Sequence, residues 1–144
     1  MFFASLTERG SGPALVKTLV FQEARLMTIA ENVANLVTPG YRAKQLDARG
    51  FQGALRSAID NRSSDPTKPL TIRNKEVRTD AAGRMTVTPS LRPLDNVLFH
   101  DGTNASLERE MSDLAQTQMS HDLATALLKT KMDGLRKAVR GTAS

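Results

Sequence analysis

The sequence predicts a mainly α protein: long N- and C-terminal helices pairing antiparallel in a coiled-coil-like bundle, with a small irregular, β-hairpin segment between them. Three observations predict it. Apolar residues recur at steps of four and three over residues 15–36 and again over 107–139. A Pro-Gly pair closes the first run. The middle is poorer in aliphatics and holds short stretches of alternating β-branched residues. At 144 residues the chain has the length of one domain. Its expected parts are a flexible arm at 1–12, a first helix, turn and short helix at 13–60, a linker and hairpin at 61–105, a last helix at 106–140 and a tail at 141–144.

The first helix is expected over 13–37. Ser11 or Gly12 can cap it, and Pro13 suits a first position that needs no amide hydrogen. Its first apolar row is Leu15, Leu19, Leu26, Ile29, Val33 and Leu36, interrupted at Gln22. A second row, Val16, Val20, Met27, Ala30, Ala34 and Val37, lies beside it and widens the apolar face. Ala30 and Ala34 are small enough for another helix to come close. Lys17, Gln22, Arg25, Glu31, Asn32 and Asn35 make up the opposite, polar face. The stop is chemical. Pro39 disfavours helical backbone at Thr38 and donates no hydrogen bond, and Gly40 turns the chain through a positive φ.

Phe51, Leu55 and Ile59 follow at steps of four, a short amphipathic helix weakened by Gly50 and Gly53. Residues 60–69 read as linker. The stretches 70–79 and 84–88 alternate around Asp80-Ala81-Ala82-Gly83, which predicts a hairpin. Pro89, Pro93 and residues 101–104 mark another irregular connection. Ser106 can cap the last helix, with Glu108 and Glu110 in its first turn and Lys129, Lys131, Arg136, Lys137 and Arg140 late, an order that complements the helix dipole. Its row is Leu107, Met111, Leu114, Leu128, Met132, Leu135 and Val139, polar in the middle at Gln118, His121 and Thr125. Met119, Leu123 and Leu127 form an adjacent stripe. Either helix alone leaves its apolar face wet. The two together still expose much of it, so neighbouring subunits are the expected cover.

Asn32, Ala34, Asn35, Thr38, Pro39, Gly40 and Tyr41 together resemble the N-terminal motif of the bacterial flagellar rod and hook proteins, an Ala/Asn-rich helix end running into Asn-x-x-Thr-Pro-Gly and an aromatic residue. Leu36-Val37 departs from it, where relatives often carry a polar residue. Leu107-Glu108-Arg109-Glu110-Met111, Leu114-Ala115, Leu127-Leu128, Lys131-Met132 and Leu135-Arg136 look like the C-terminal segment of the proximal rod proteins of the basal body. Proximal rod proteins carry Tyr-Lys-Ala-x-Asp-hydrophobic-Asp-Phe after the turn. Here Tyr41-Arg42-Ala43-Lys44-Gln45-Leu46-Asp47 is followed by Ala48-Arg49-Gly50 before Phe51, a longer spacing.

The resemblance implies a structural subunit of the proximal rod that transmits torque. It would assemble through Leu15, Leu19, Leu26, Ile29, Val33, Leu36, Leu107, Met111, Leu114, Leu128, Met132 and Leu135. Its implied partners are other copies of itself, other rod proteins and the components of the rod base and export gate. It implies export through the flagellar channel to the periplasmic rod, with termini disordered before assembly. Met1-Phe2-Phe3-Ala4-Ser5-Leu6 lacks a basic flank, so no cleavable signal peptide is expected.

The residues argue for no reaction. There is no cysteine, which excludes disulfides and thiolate ligands. His100 and His121 lack a ligand-spaced cluster, so no metal or other cofactor is expected. Glu108 and Glu110, two apart on a helix, point in different directions and form no catalytic pair. No phosphate-binding glycine loop or Gly-x-Ser-x-Gly is present. The net charge of +5 is scattered. Arg73, Lys75, Arg78 and Arg84 offer a basic hairpin, but without a recognition helix or stacking aromatics nucleic acid is not the expected partner. No run is long enough to span a membrane. A helical cytoplasmic adaptor or flagellar export chaperone shares these features and is the alternative; it differs in staying inside the cell.

Overall fold

A computed structural model of the chain describes residues 10–63, 65, 68–93 and 102–141. Residues 1–9 of the arm expected at 1–12, the last three residues and His100 lie outside these. Among the described residues three helices carry the fold: α1 (Gly12–Ala34), α2 (Ala48–Ser63) and α3 (Gly102–Arg140). Between them run four short strands, β1 (Lys44–Gln45), β2 (Val77–Thr79), β3 (Met85–Val87) and β4 (Ser90–Leu91).

The expected hairpin is β2 against β3, antiparallel, with Arg78 opposite Thr86. Its turn closes on Asp80: the Arg84 N–H donates to Asp80 Oδ1 at 2.8 Å and Gly83 takes a φ of 80°. Before it, residues 72–74 fold back on the hairpin, with Thr79 N–H donating to the Ile72 carbonyl and Asn74 N–H to that of Val77. A second antiparallel pair, β1 with β4, ties the segment after the first turn to the end of the middle region. Neither of its strands was expected from the sequence, since two residues are too few to show alternation.

Several helix ends differ from expectation. α1 stops at Ala34, not at 37, because the Asn35 side chain takes over: its Nδ2 donates to the Glu31 carbonyl and its Oδ1 accepts from Thr38 Oγ1. Ser11 contributes no side-chain cap, while Pro13 does lie at the helix start. α2 continues through Ser63, beyond the expected start of the linker. It begins on Asp47, whose carboxylate accepts from the Gly50 N–H at 3.0 Å. A Cβ at position 50 would stand 2.5 Å from Asp47 Oδ2, so this glycine makes room for the cap. α3 begins at Gly102, not after Ser106, and takes in residues 102–104 that were expected to be irregular. Glu108 and Glu110 are therefore not in its first turn, and the dipole reading of them is withdrawn.

The core sits between α1, α2 and the hairpin. Phe21 and Phe51 stack with ring centroids 4.0 Å apart and planes within 2°. Leu46, Ile72 and Val77 complete the buried cluster, and Ala24, Ala54, Leu55, Met85 and Val87 surround it. This overturns one expectation about α1. Most of its supposed polar face is turned inward: Lys17, Gln22 and Asn32 are buried and Arg25 is nearly so, while Glu31 stays exposed and Asn35 half-buried. Phe21 lies in the middle of that face and draws the hairpin and α2 over it. Most of these polar neighbours find partners, as buried polar groups generally must, although Gln22 Oε1 has none among the described residues. Lys17 Nζ donates to the Gly83 carbonyl at 2.9 Å, and Thr28 Oγ1 to that of Ala24.

α1 also packs along α3. Asn32 meets Glu110, Arg25 meets Asp113, and Gly10 lies beside Lys131, so the contacts run in opposite sequence order on the two helices.

Candidate assembly surface and the Asn32 junction

Three faces of α1 now have separate duties. One meets the hairpin and α2, and one meets α3. The third carries most of the second apolar row and faces outward: Val16, Met27, Ala30 and Ala34 are exposed, with Met27 at 69%, while Val20 is half-buried and Val37 lies exposed beyond the helix end. α3 shows the same division. Its inward row is Glu110, Leu114, Thr117, His121, Ala124, Leu128, Lys131 and Leu135, all buried or half-buried. Outside run Leu107, Met111, Ala115, Met119, Leu123 and Leu127, spaced by four and exposed, with Met119 at 73%.

The expected packing residues therefore divide. Ile29 is buried, and Leu15, Leu19, Leu26, Val33, Leu36, Leu114, Leu128 and Leu135 are half-buried. Leu107, Met111 and Met132 are exposed. Of the expected polar seam positions, Gln118 and Thr125 lie outside and His121 is half-buried. Thr117 and Ala124 hold the inner places instead. Small inner side chains let two helices approach closely but leave no hydrophobic signal to read.

The motif residues meet at one point. Asn32 is 2% exposed, and all four of its hydrogen-bonding capacities are used. Its Oδ1 accepts from the Lys44 N–H at 2.9 Å and the Tyr41 hydroxyl at 3.0 Å. Its Nδ2 donates to the Lys44 carbonyl at 2.8 Å and to Glu110 Oε2 at 3.2 Å. Glu110 is buried and pairs through Oε1 with Arg92 Nη1 at 2.7 Å. Arg92 in turn donates its N–H to the Ala43 carbonyl. Thr38, Pro39 and Gly40 form the exposed turn that brings Tyr41 back, and Gly40 takes a φ of 75°. Ala34 ends the helix on the outer face. One asparagine thus joins α1, the turn, the β1–β4 pair and α3.

Electrostatics follow the same geometry. Burial, then the Glu31 carboxylate, push the Tyr41 hydroxyl above its ordinary value. Burial lowers the Lys17 ammonium, against the pull of Asp80. The hydrogen bond to Glu31 raises Lys44. A cavity of about 590 Å³ opens beside the junction, lined by Arg25, Lys44, Arg49, Arg92, Arg109, Asp47 and Asp113 among others. Arg25, Lys44 and Arg92 are already paired with Asp113, Glu31 and Glu110, so the cavity is not a concentrated cationic site.

Sequence reasoning missed Phe21, Arg92, Glu76 and the inward role of Glu110. Glu76 accepts from the Asp47 N–H at 2.7 Å and from the Ser90 hydroxyl, linking α2's start to β4. No local pattern marks such residues, because their partners are distant in sequence. Phe21 had a signal: it is the bulkiest side chain of α1, off both apolar rows.

Among the described residues no helix is long and apolar enough to cross a membrane. No family model matches the chain. A flagellar basal body rod protein FlgB from Cereibacter sphaeroides is 30% identical over 135 residues, 87% of this chain and 90% of that protein. FlgB proteins from Borrelia hermsii and Aeromonas hydrophila are 32% and 23% identical over 104 and 123 residues, covering 74% and 87% of their own lengths. The sequence motifs at both ends, the junction they build and this similarity over most of the length agree: the chain belongs to the FlgB family of flagellar basal body rod proteins.

Proposed function

We propose that the protein is a non-enzymatic structural subunit of the proximal rod of the bacterial flagellar basal body, and that it assembles through its two terminal helices to transmit torque. The observation that carries this reading is the pair of apolar stripes left outside after α1 and α3 have packed together. Val16 and Met27 on one helix and Met119, Leu123 and Leu127 on the other stay exposed. Contiguous exposed apolar surface of this kind marks a binding face. A screw repeat that sets unlike stripes against each other does not close, and it grows a shaft. The opposite contact order of α1 and α3 supports an antiparallel, coiled-coil-like pair as the unit of that shaft. Its partners on this reading are other copies, other rod proteins and components of the rod base and export gate. It works in the periplasmic rod.

The test uses the outward residues. Ile29 is committed inside the subunit, so changing it would unfold the chain as readily as block assembly. Met27→Asp with Met119→Asp leaves the interior intact. In a strain lacking the native gene, this variant should accumulate but fail to enter isolated basal bodies or restore swimming. Normal swimming would overturn the reading.

A further inference from the structure

We infer that the outward face of the hairpin is a docking surface for an acidic segment of a partner protein, held by Arg73 and Arg78. The net charge, expected to be scattered, is uneven between the parts of the fold. Residues 41–93 hold eleven Lys and Arg against five Asp and Glu, a net +6, while the whole chain is +5. The terminal parts that supply α1 and α3 carry none of the excess.

The backbone concentrates this charge. Residues 72–74 fold back on β2, and Arg73 stands opposite Arg78 in an antiparallel bridge. The Thr79 N–H on the Ile72 carbonyl at 3.0 Å and the Asn74 N–H on the Val77 carbonyl at 2.9 Å bracket the two arginines. They are therefore a non-hydrogen-bonded pair, the arrangement in which facing side chains stand closest. Ile72, Val77 and Thr79 take the inward places and are buried, so both arginines project outward and are exposed. Thr86, opposite Arg78 on β3, continues the row and is exposed too.

Like charges directly opposite each other destabilise a hairpin. Among the described residues nothing offsets this pair, since neither guanidinium has an ion pair or hydrogen bond. The hairpin's own carboxylates are committed elsewhere: Asp80 to Arg84, and buried Glu76 to the Asp47 N–H and the Ser90 hydroxyl. A face that costs the hairpin stability and is left uncompensated is complementary to carboxylates brought by another chain. Two planar guanidinium forks bind such groups bidentately. Nucleic acid fits worse, because threonines flank the arginines and no aromatic side chain offers a stacking platform. An anionic membrane fits worse for want of apolar side chains beside them to insert. A second copy offers Glu23, Glu108 and Asp122, which are spread over two helices. The surface is separate from the apolar stripes of α1 and α3, so the inference stands whether or not the rod reading does.

The probe is a fluorescently labelled octaglutamate peptide, titrated with the purified full chain. The parent should bind it, more weakly as salt rises. Arg73→Gln with Arg78→Gln should weaken binding by about tenfold or more. Lys129→Gln with Lys137→Gln removes the same charge from exposed sites on α3 and should change binding by about twofold or less. Without peptide the arginine double variant should melt above the parent, because the repulsion is gone. Excess peptide should raise the melting point of the parent and leave that of the variant where it was. No binding by the parent, or equal losses in the two double variants, would overturn the inference. So would tighter, arginine-dependent binding of an oligothymidine or of phosphatidylglycerol vesicles. Self-association that disappears with the two arginines would assign the face to a second copy and overturn it as well.

Discussion

Asn32 Nδ2 lies 3.2 Å from Glu110 Oε2, joining positions 78 residues apart inside the seam between the terminal helices. Removing one partner leaves the others buried and unpaired. Glu110→Ala should therefore cost about 3–5 kcal/mol, read as the shift in urea unfolding. Replacing Asn32 and Glu110 together by Leu should cost far less than the sum of the single losses. A double variant as unstable as that sum would mean that the two residues act independently.

Phe21→Ala opens a cavity beneath Phe51 and should cost about 3–5 kcal/mol. Met27→Ala, six residues on and outside, should change stability by about 0.5 kcal/mol or less. Equal effects in chemical denaturation would contradict the division of α1 into inner and outer faces.

Tyr41 is the single Tyr and there is no Trp, so ultraviolet absorbance follows one phenol. Burial and Glu31 hold its pKa above the ordinary 10.0. The unfolded chain loses this proton first. The stabilisation is thus intact below pH 10.0 and is lost as pH rises through the folded value. The native midpoint should lie above that of the same chain in denaturing urea. Coincident midpoints would show that the hydroxyl is neither buried nor held next to the Glu31 carboxylate in the folded chain.

Asp80 sits below its ordinary 3.8, chiefly through the hydrogen bond from the Arg84 N–H, with burial opposing. Its contribution is complete above 3.8 and disappears as pH falls through the folded value. Asp80→Ala should melt below the parent at neutral pH, and the gap should close in acid. A gap that persists unchanged at low pH would assign the effect to something other than the carboxylate.

How much of this was legible differs by element. The heptad rows and the Thr-Pro-Gly turn announced α1, α3 and the point where the chain reverses, because helix periodicity and backbone sterics act within a few residues. The hairpin around Asp80 was legible for the same reason. The β1–β4 pair and the partners of Asn32 were not, since each depends on residues brought together from far apart.

The sequence by itself determined that two long helices carry more apolar surface than one of them can hide, and that the motif at 32–41 ends the first. Only the tertiary structure decided which surface is hidden. Phe21 stacks on Phe51 and pulls the polar side of α1 inward, where Asn32, Lys17 and Arg25 find distant partners. Val16, Met27, Ala30 and Ala34 on the other side are left facing out. Burial goes to the face whose long-range contacts are best satisfied, and a one-dimensional pattern does not contain those contacts.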